Sequence, residues 1–188
     1  MIDYYLIVVA LILGIVEGAT EFLPISSTGH LIIVSDLLNF DTSSHEVFEI
    51  VIQLGAIVAV VIEYRKKLTA TLLGATHEKS AQDFLINLVI AFIPAAILGL
   101  IFHSQIKLYL FNPVTVSIAL IVGGIAMIII EKKMPKNVPL TNTIKKSQAL
   151  TIGLAQCLAL VPGISRAAST IMGGVISGLD RKTATEFS

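Results

Sequence analysis

The sequence predicts an all-α integral membrane protein arranged as an inverted repeat. Each copy is a re-entrant helix pair followed by three transmembrane helices, and the second copy is truncated in this chain. Three observations carry this reading. The residues are 55% hydrophobic and 14% charged, with a mean hydropathy of +0.87, whereas soluble domains carry roughly 25% charged residues. Three apolar stretches approach the roughly 20 residues that a hydrocarbon core about 30 Å thick requires. An apolar helix broken at a proline and followed by hydroxyls occurs twice, at 14–30 (GIVEGATEFLPISSTGH) and at 153–169 (GLAQCLALVPGISRAAS).

A shift of 139 residues sets Gly153 on Gly14, Gln156 on Glu17, Ile164 on Ile25, Ser165 on Ser26 and, further on, Phe187 on Phe48. Matched interruptions of this kind point to a site built from broken helices. The first repeat occupies 1–146 and starts with a re-entrant pair at 6–40. Met1, Ile2 and Asp3 supply no basic leader, and the apolar stretch ends in Glu17 and Glu21 rather than at a small-residue cleavage site, which argues against a removed signal peptide. Spans follow at 47–64, 84–103 and 113–130. Between the first two lie Arg65, Lys66, Lys67 and Lys79; a short turn holds Lys107, Asn112 and Pro113; and after the third, the loop 131–146 carries Lys132, Lys133, Lys136, Lys145 and Lys146. Two crossings separate the basic loops, so both fall on one side, which the positive-inside rule makes cytoplasmic.

The second repeat covers 147–188, with its re-entrant pair at 148–180. Its first limb, 148–161, is about 21 Å of helix at 1.5 Å per residue, too short to cross. Pro162 and Gly163 end that limb near mid-depth, Ser165 caps the next, and the chain returns through Gly178 to Arg181 and Lys182 on the cytoplasmic side. A re-entrant pair plus three spans is an odd number of crossings, which inverts the second copy. The sequence stops where that copy's spans should begin, so about three further helices of roughly 20 residues each are expected. Irregular backbone at that depth must be covered by protein or a wet cavity, so the two turns should face each other inside the bundle.

Charge is balanced at 13 basic and 13 acidic residues, which gives no basic surface for nucleic acid. The single cysteine, Cys157, allows no internal disulfide and is read as packing.

The chemistry-bearing residues cluster at the two breaks. Glu17 and Glu21 stand four apart on one helical face, where like charges repel and burial in a membrane is costly. They need a shared proton, a bound cation or a cationic partner such as Arg166, unless they lie solvated at the helix end. Arg166 is the one strong cation of the second break, and its planar fork suits phosphate; a structural salt bridge to Glu17 or Glu21 is the plainer role. The acidic pair and the guanidinium are expected to meet at a dry, central point. Gly163 allows close backbone approach. Ser26, Ser27 and Thr28 in one copy, and Ser165, Ser169 and Thr170 in the other, offer donors beside helix N-termini, where an anion is favoured. Simple helix capping is the competing role for these hydroxyls. His30 follows Ser27 by three residues and is placed to activate its hydroxyl or a water. His45, His77 and His103 are read as surface or span-end residues, Gln53 as an interhelical hydrogen-bonding group, and Gly99, Gly123, Gly124, Gly173, Gly174 and Gly178 as close-packing positions.

The stretch EGATEFLPISSTGH, Glu17 to His30, resembles the EGxTEFLPISSTGH signature of the bacterial undecaprenyl-diphosphate phosphatases, the bacitracin-resistance family. PGISRAAST, Pro162 to Thr170, resembles that family's PGxSRSxxT motif, departing from it at Ala167, where Ser is usual, and at Ala168, where Gly is common. The likeness continues through FEIVIQLGA at 48–56 and into 184–188. It implies a hydrolase of the bacterial inner (plasma) membrane, open to the outer face, that removes the terminal phosphate of undecaprenyl diphosphate. The product is the monophosphate carrier of peptidoglycan precursors. It also implies a divalent cation, Mg²⁺ or Ca²⁺, held by Glu17 and Glu21, and carries active-site roles onto Glu17, Glu21, Ser26, Ser27, His30, Ser165, Arg166 and Thr170. The implied partners are the polyprenyl diphosphate lipid and the bilayer, with a homodimer left open. The nucleophile is either Ser27, with His30 as base, or a cation-bound water deprotonated by Glu21 or His30. A carrier or flippase for an anionic polyprenyl lipid is the rival from another class, because broken helices in inverted repeats also build transporters. A purely structural membrane subunit would leave Glu17, Glu21 and Arg166 unexplained.

Overall fold

The computed structural model describes residues 4–40, 45–135, 137–141 and 143–188; Met1, Ile2, Asp3 and Lys136, and the side chain of His45, lie outside the description. Among the described residues the fold is all helical, with nine α-helices and no strand. The first helix, α1 (Tyr4–Thr20), is an uninterrupted run of apolar residues as far as Glu17. It ends because Pro24 lacks an N–H and forces Leu23 out of helical conformation. The Ile25 N–H turns back onto the Leu23 carbonyl at 2.8 Å, a γ-turn centred on Pro24. Helix α2 (Ser27–Leu37) starts at once, capped by Ser26, whose Oγ accepts from the Gly29 N–H at 3.3 Å. The two helices pack as a hairpin around Val9, Leu13 and Leu31.

Helices α3 (His45–Glu63) and α4 (Arg65–Gly74) follow, split at Tyr64. The basic stretch Arg65 to Lys67, expected as a loop, is instead the first turn of α4. The Leu68 N–H bonds the Tyr64 carbonyl at 2.9 Å, and the Ala and Leu residues that follow are strong helix formers. Helix α5 (Lys79–Leu110) runs for 32 residues, well beyond the expected 84–103, and takes in Lys107, which the sequence placed in a turn. It stops at Phe111 in an inverse γ-turn, with the Asn112 N–H on the Leu110 carbonyl at 3.0 Å. Helix α6 (Pro113–Lys133) opens with Pro113 in its first turn and the Asn112 side chain accepting from the Thr115 N–H at 2.9 Å. Lys132 and Lys133 sit in its last turn, where cations complement the helix dipole.

Among the described residues, α5 and α6 are the helices long and apolar enough to cross a membrane, whereas the apolar stretch of α3, Ile50–Glu63, is shorter. Most of their apolar surface faces outward: Leu100, Ile101, Ile121 and Val122 are all exposed. Apolar surface on this scale is stable against lipid tails and not against water.

Helix α7 (Lys146–Gln156) tightens into a 3₁₀ turn, Cys157–Leu160, before Pro162. Helix α8 (Arg166–Ile176) begins after Ser165, whose Oγ accepts from the Ala168 N–H at 3.2 Å. The shift of 139 residues therefore carries α2 onto α8 end for end, and cap Ser26 onto cap Ser165. Gly178, at φ +90°, closes α8 in a Schellman arrangement: its N–H bonds the Val175 carbonyl and the Leu179 N–H bonds the Gly174 carbonyl, both at 3.0 Å. Asp180 then caps α9 (Arg181–Phe187). The larger core forms where α7 packs against both α5 and α8, around Ala91, Ala149, Ile152, Val175, Leu179, Ala184 and Phe187. Close approach of α5 and α7 depends on Gly153, since a Cβ there would lie 2.6 Å from the Ala91 carbonyl oxygen.

Candidate active site

Helix α6 is the surface on which the two broken segments meet. A Cβ at Gly29, in the first turn of α2, would lie 3.2 Å from a Leu120 methyl and 3.3 Å from Gly163 Cα. A Cβ at Gly163 would lie 2.6 Å from the Val116 carbonyl oxygen, and this residue also has φ +97°. Only glycine satisfies both demands at 163. The two turns are thereby brought together, and Arg166 Nη2 donates to Glu21 Oε1 at 3.0 Å across 145 positions of sequence. Ser27 Oγ donates to the other oxygen, Glu21 Oε2, in a short hydrogen bond. One carboxylate thus joins a guanidinium from the second break to a hydroxyl from the first.

Glu17 lies one turn before Glu21, as the Glu21 N–H on the Glu17 carbonyl shows. At 1% exposure it is not solvated at a helix end. The Arg166 side chain is 72% exposed and that of Glu21 22%. The reason is a cavity of about 1030 Å³ whose wall includes Glu21, Ser26, Ser27, Thr28, Gly163, Ser165 and Arg166. Gln53 and Gln156 also line it, as do the apolar side chains of Phe22, Val60, Leu88 and Phe92 and the Lys67–Glu186 ion pair, whose partners are 2.8 Å apart.

Two expected substrate contacts, Ser169 and Thr170, do not line this cavity. Both are buried, and Thr170 Oγ1 turns back along α8 to donate to the Arg166 carbonyl at 2.9 Å. It lines a neighbouring cavity of about 390 Å³, whose wall shares Leu88, Phe92, Gln156, Phe187 and Ser188 with the larger one. The expected pairing of Ser27 with His30 is also replaced. The His30 ring reaches back to the Ser26 carbonyl, with Nδ1 2.7 Å from the oxygen, while the Ser27 hydroxyl turns to the end of α1 and Glu21. Gln156 was missed as a site residue, although the repeat register that sets it on Glu17 is the signal that finds it.

Among the described residues no three His, Cys, Asp or Glu gather together. Glu21 lines the cavity with both carboxylate oxygens engaged, by Ser27 and by Arg166, while Glu17 is buried and is not part of the cavity wall.

Fold and site together define a helical membrane protein in which an acid, a hydroxyl and a guanidinium are gathered for a phosphoryl group. Residues 10–188 match the family model of the bacitracin resistance protein BacA, and the chain belongs to that family. Among its relatives, an undecaprenyl-diphosphatase of Neisseria meningitidis is 52% identical over 189 residues, covering 99% of this chain and 69% of the relative. The undecaprenyl-diphosphatase of Nitrosospira multiformis is 56% identical over 187 residues, covering 99% and 68%. Undecaprenyl-diphosphatase 1 of Pseudomonas fluorescens is 54% identical over the same length, with the same coverage.

Proposed function

We propose that this protein is an undecaprenyl-diphosphatase, hydrolysing undecaprenyl diphosphate to undecaprenyl phosphate and inorganic phosphate. That activity regenerates the lipid carrier of peptidoglycan synthesis and opposes bacitracin. The observation that carries the reading beyond family membership is the Glu21 carboxylate, held between Ser27 Oγ and Arg166 in the wall of a largely apolar cavity. A carrier needs anion binding alone, whereas a hydroxyl donating to a carboxylate is what nucleophilic chemistry requires.

Arg166 and the free N–H groups at the starts of α2 and α8 bind the terminal phosphate and neutralise charge as it is transferred. Glu21 takes the Ser27 proton while Ser27 Oγ attacks the terminal phosphorus. A Ser27 O–P bond forms, the anhydride P–O bond breaks, and undecaprenyl phosphate leaves. Water then displaces Ser27, whose oxygen regains the proton from Glu21, and the phosphate is released as dihydrogen phosphate, carrying the oxygen and both protons of the water. Glu17 and Glu21 are the residues that would hold Mg²⁺ or Ca²⁺, which when bound supplies further positive charge to the diphosphate oxygens.

The coincident bounds of α2 and α8 support an inverted repeat, with the first copy at 1–146 and the second beginning at 147. On this reading the polyprenyl tail lies along the apolar wall of the cavity, and the site opens to the outer face of the bacterial plasma membrane.

Phosphate release from a polyprenyl diphosphate in detergent tests the assignment. Glu21→Gln and Arg166→Ala should each lower it by about 100-fold or more, the scale of losing a transition-state contact. Release that persists unchanged in both variants defeats it. Single-turnover trapping of labelled phosphoserine tests the nucleophile, and its absence from Ser27 would leave direct attack by water.

A further inference from the structure

The residue immediately before the proposed nucleophile is under backbone strain. Ser26 has φ 68° and ψ 93°, a conformation that a non-glycine residue keeps only when its surroundings over-determine it. The surroundings here are specific. Ser26 is 7% exposed, its Oγ is occupied by the Gly29 N–H, and its carbonyl oxygen takes two donors from one residue, the His30 backbone N–H at 3.2 Å and His30 Nδ1 at 2.7 Å. A carbonyl can only accept, so Nδ1 carries a proton. That nitrogen is therefore unable to receive the proton of Ser27, whose hydroxyl is bonded to Glu21. His30 is not part of the cavity wall that holds Glu21, Ser27 and Arg166.

We propose that His30 is a positioning residue rather than the base. Its Nδ1–H clamps the Ser26 carbonyl, keeps the strained turn in place, and so aims the Ser27 hydroxyl at Glu21. The clamp is needed because the γ-turn at Pro24 delivers the chain into α2 at an angle that ordinary L-residue backbone does not adopt. Without the ring, Ser26 relaxes toward an allowed conformation and the adjoining Ser27 hydroxyl swings away from its acceptor.

This inference rests on the phosphatase reading, and its test separates the two. Wild-type phosphate release must first be present, and its absence would defeat the phosphatase reading by itself. Asparagine places an amide N–H close to the position of Nδ1, while glutamine places one close to Nε2. With the clamp, His30→Asn keeps kcat within about tenfold of wild type, while His30→Ala and His30→Gln lose about 100-fold or more, the range usually ascribed to a lost general base. The pH–rate profile of His30→Asn retains both limbs of the wild-type profile. Adding Ser26→Gly to His30→Ala recovers at least about tenfold in kcat, because glycine adopts positive φ without strain. In the wild-type protein, ¹⁵N spectra of labelled histidine show the His30 Nδ1 protonated, a readout independent of any variant's folding. The proposal is overturned if His30→Asn is as slow as His30→Ala, if a limb of the pH profile disappears in His30→Asn, if Ser26→Gly rescues nothing, or if Nδ1 is found unprotonated.

Discussion

At the scale of single residues, two positions separate geometry from chemistry. Gly163 has no freedom to gain a side chain: with φ +97° and the Val116 carbonyl 2.6 Å from where a Cβ would stand, Gly163→Ala must move the second break away from α6. The expected loss is about 1–3 kcal/mol of stability together with most of the activity. An unchanged melting temperature in detergent would contradict it. Arg166→Lys keeps the charge and loses the planar fork, so kcat/KM should fall by about tenfold or more; equal activity would mean that a point charge suffices. Asp180 allows a prediction in pH. Its carboxylate accepts from the Thr183 hydroxyl and N–H and from the Thr141 N–H, and these bonds lower its pKa from 3.8 to about 2. A value lower in the folded than in the unfolded state means stabilisation that is present above about pH 4 and lost as pH falls toward 2. Melting temperature should drop across that window in the wild type and less so in Asp180→Asn; parallel curves would show that the three bonds do not form. The acidic residues, hydroxyls and guanidinium were all legible at this scale, because a membrane interior has few reasons to hold them. The partner of each was not: Ser27 and His30 share a helical face, and only the tertiary fold turns one to Glu21 and the other to a carbonyl.

At the scale of elements, breaks were easier to read than continuations. The limits of α2 and α8 follow from proline, glycine and capping serine, local features that act within a few residues. Helix α4 was missed because its three basic residues read as a loop, although a helix tolerates such charge on an exposed face. Helix α5 was cut short at 103 because the apolar run weakens there, yet Gln105, Lys107 and Leu108 all favour helix, and nothing stops it before Phe111. The caps carry a prediction that separates folding from catalysis. Asn112→Ala removes the side-chain acceptor for the Thr115 N–H and should lower stability by about 1 kcal/mol while leaving kcat unchanged. A matching fall in kcat would mean that the start of α6 communicates with the site it supports.

At the scale of the whole molecule, the active centre exists only as a junction. Its carboxylate and its guanidinium lie 145 positions apart, joined through the face of α6 that meets both Gly29 and Gly163. Chelation of divalent ions in detergent should stop phosphate release, and Mg²⁺ or Ca²⁺ should restore it; full activity after chelation would show that Glu17 and Glu21 hold no ion that the reaction needs. By itself the sequence determined that the chain is a membrane protein, where it breaks and which side chains can do chemistry, because hydropathy, proline and buried charge act locally and leave local marks. Only the tertiary structure decided that Glu21 is shared by Ser27 and Arg166, that His30 reaches for a carbonyl, and that Thr170 is left out of the main cavity wall. Those outcomes depend on helix rotation and crossing, set by packing between residues distant in the chain, and no nearest-neighbour pattern records them.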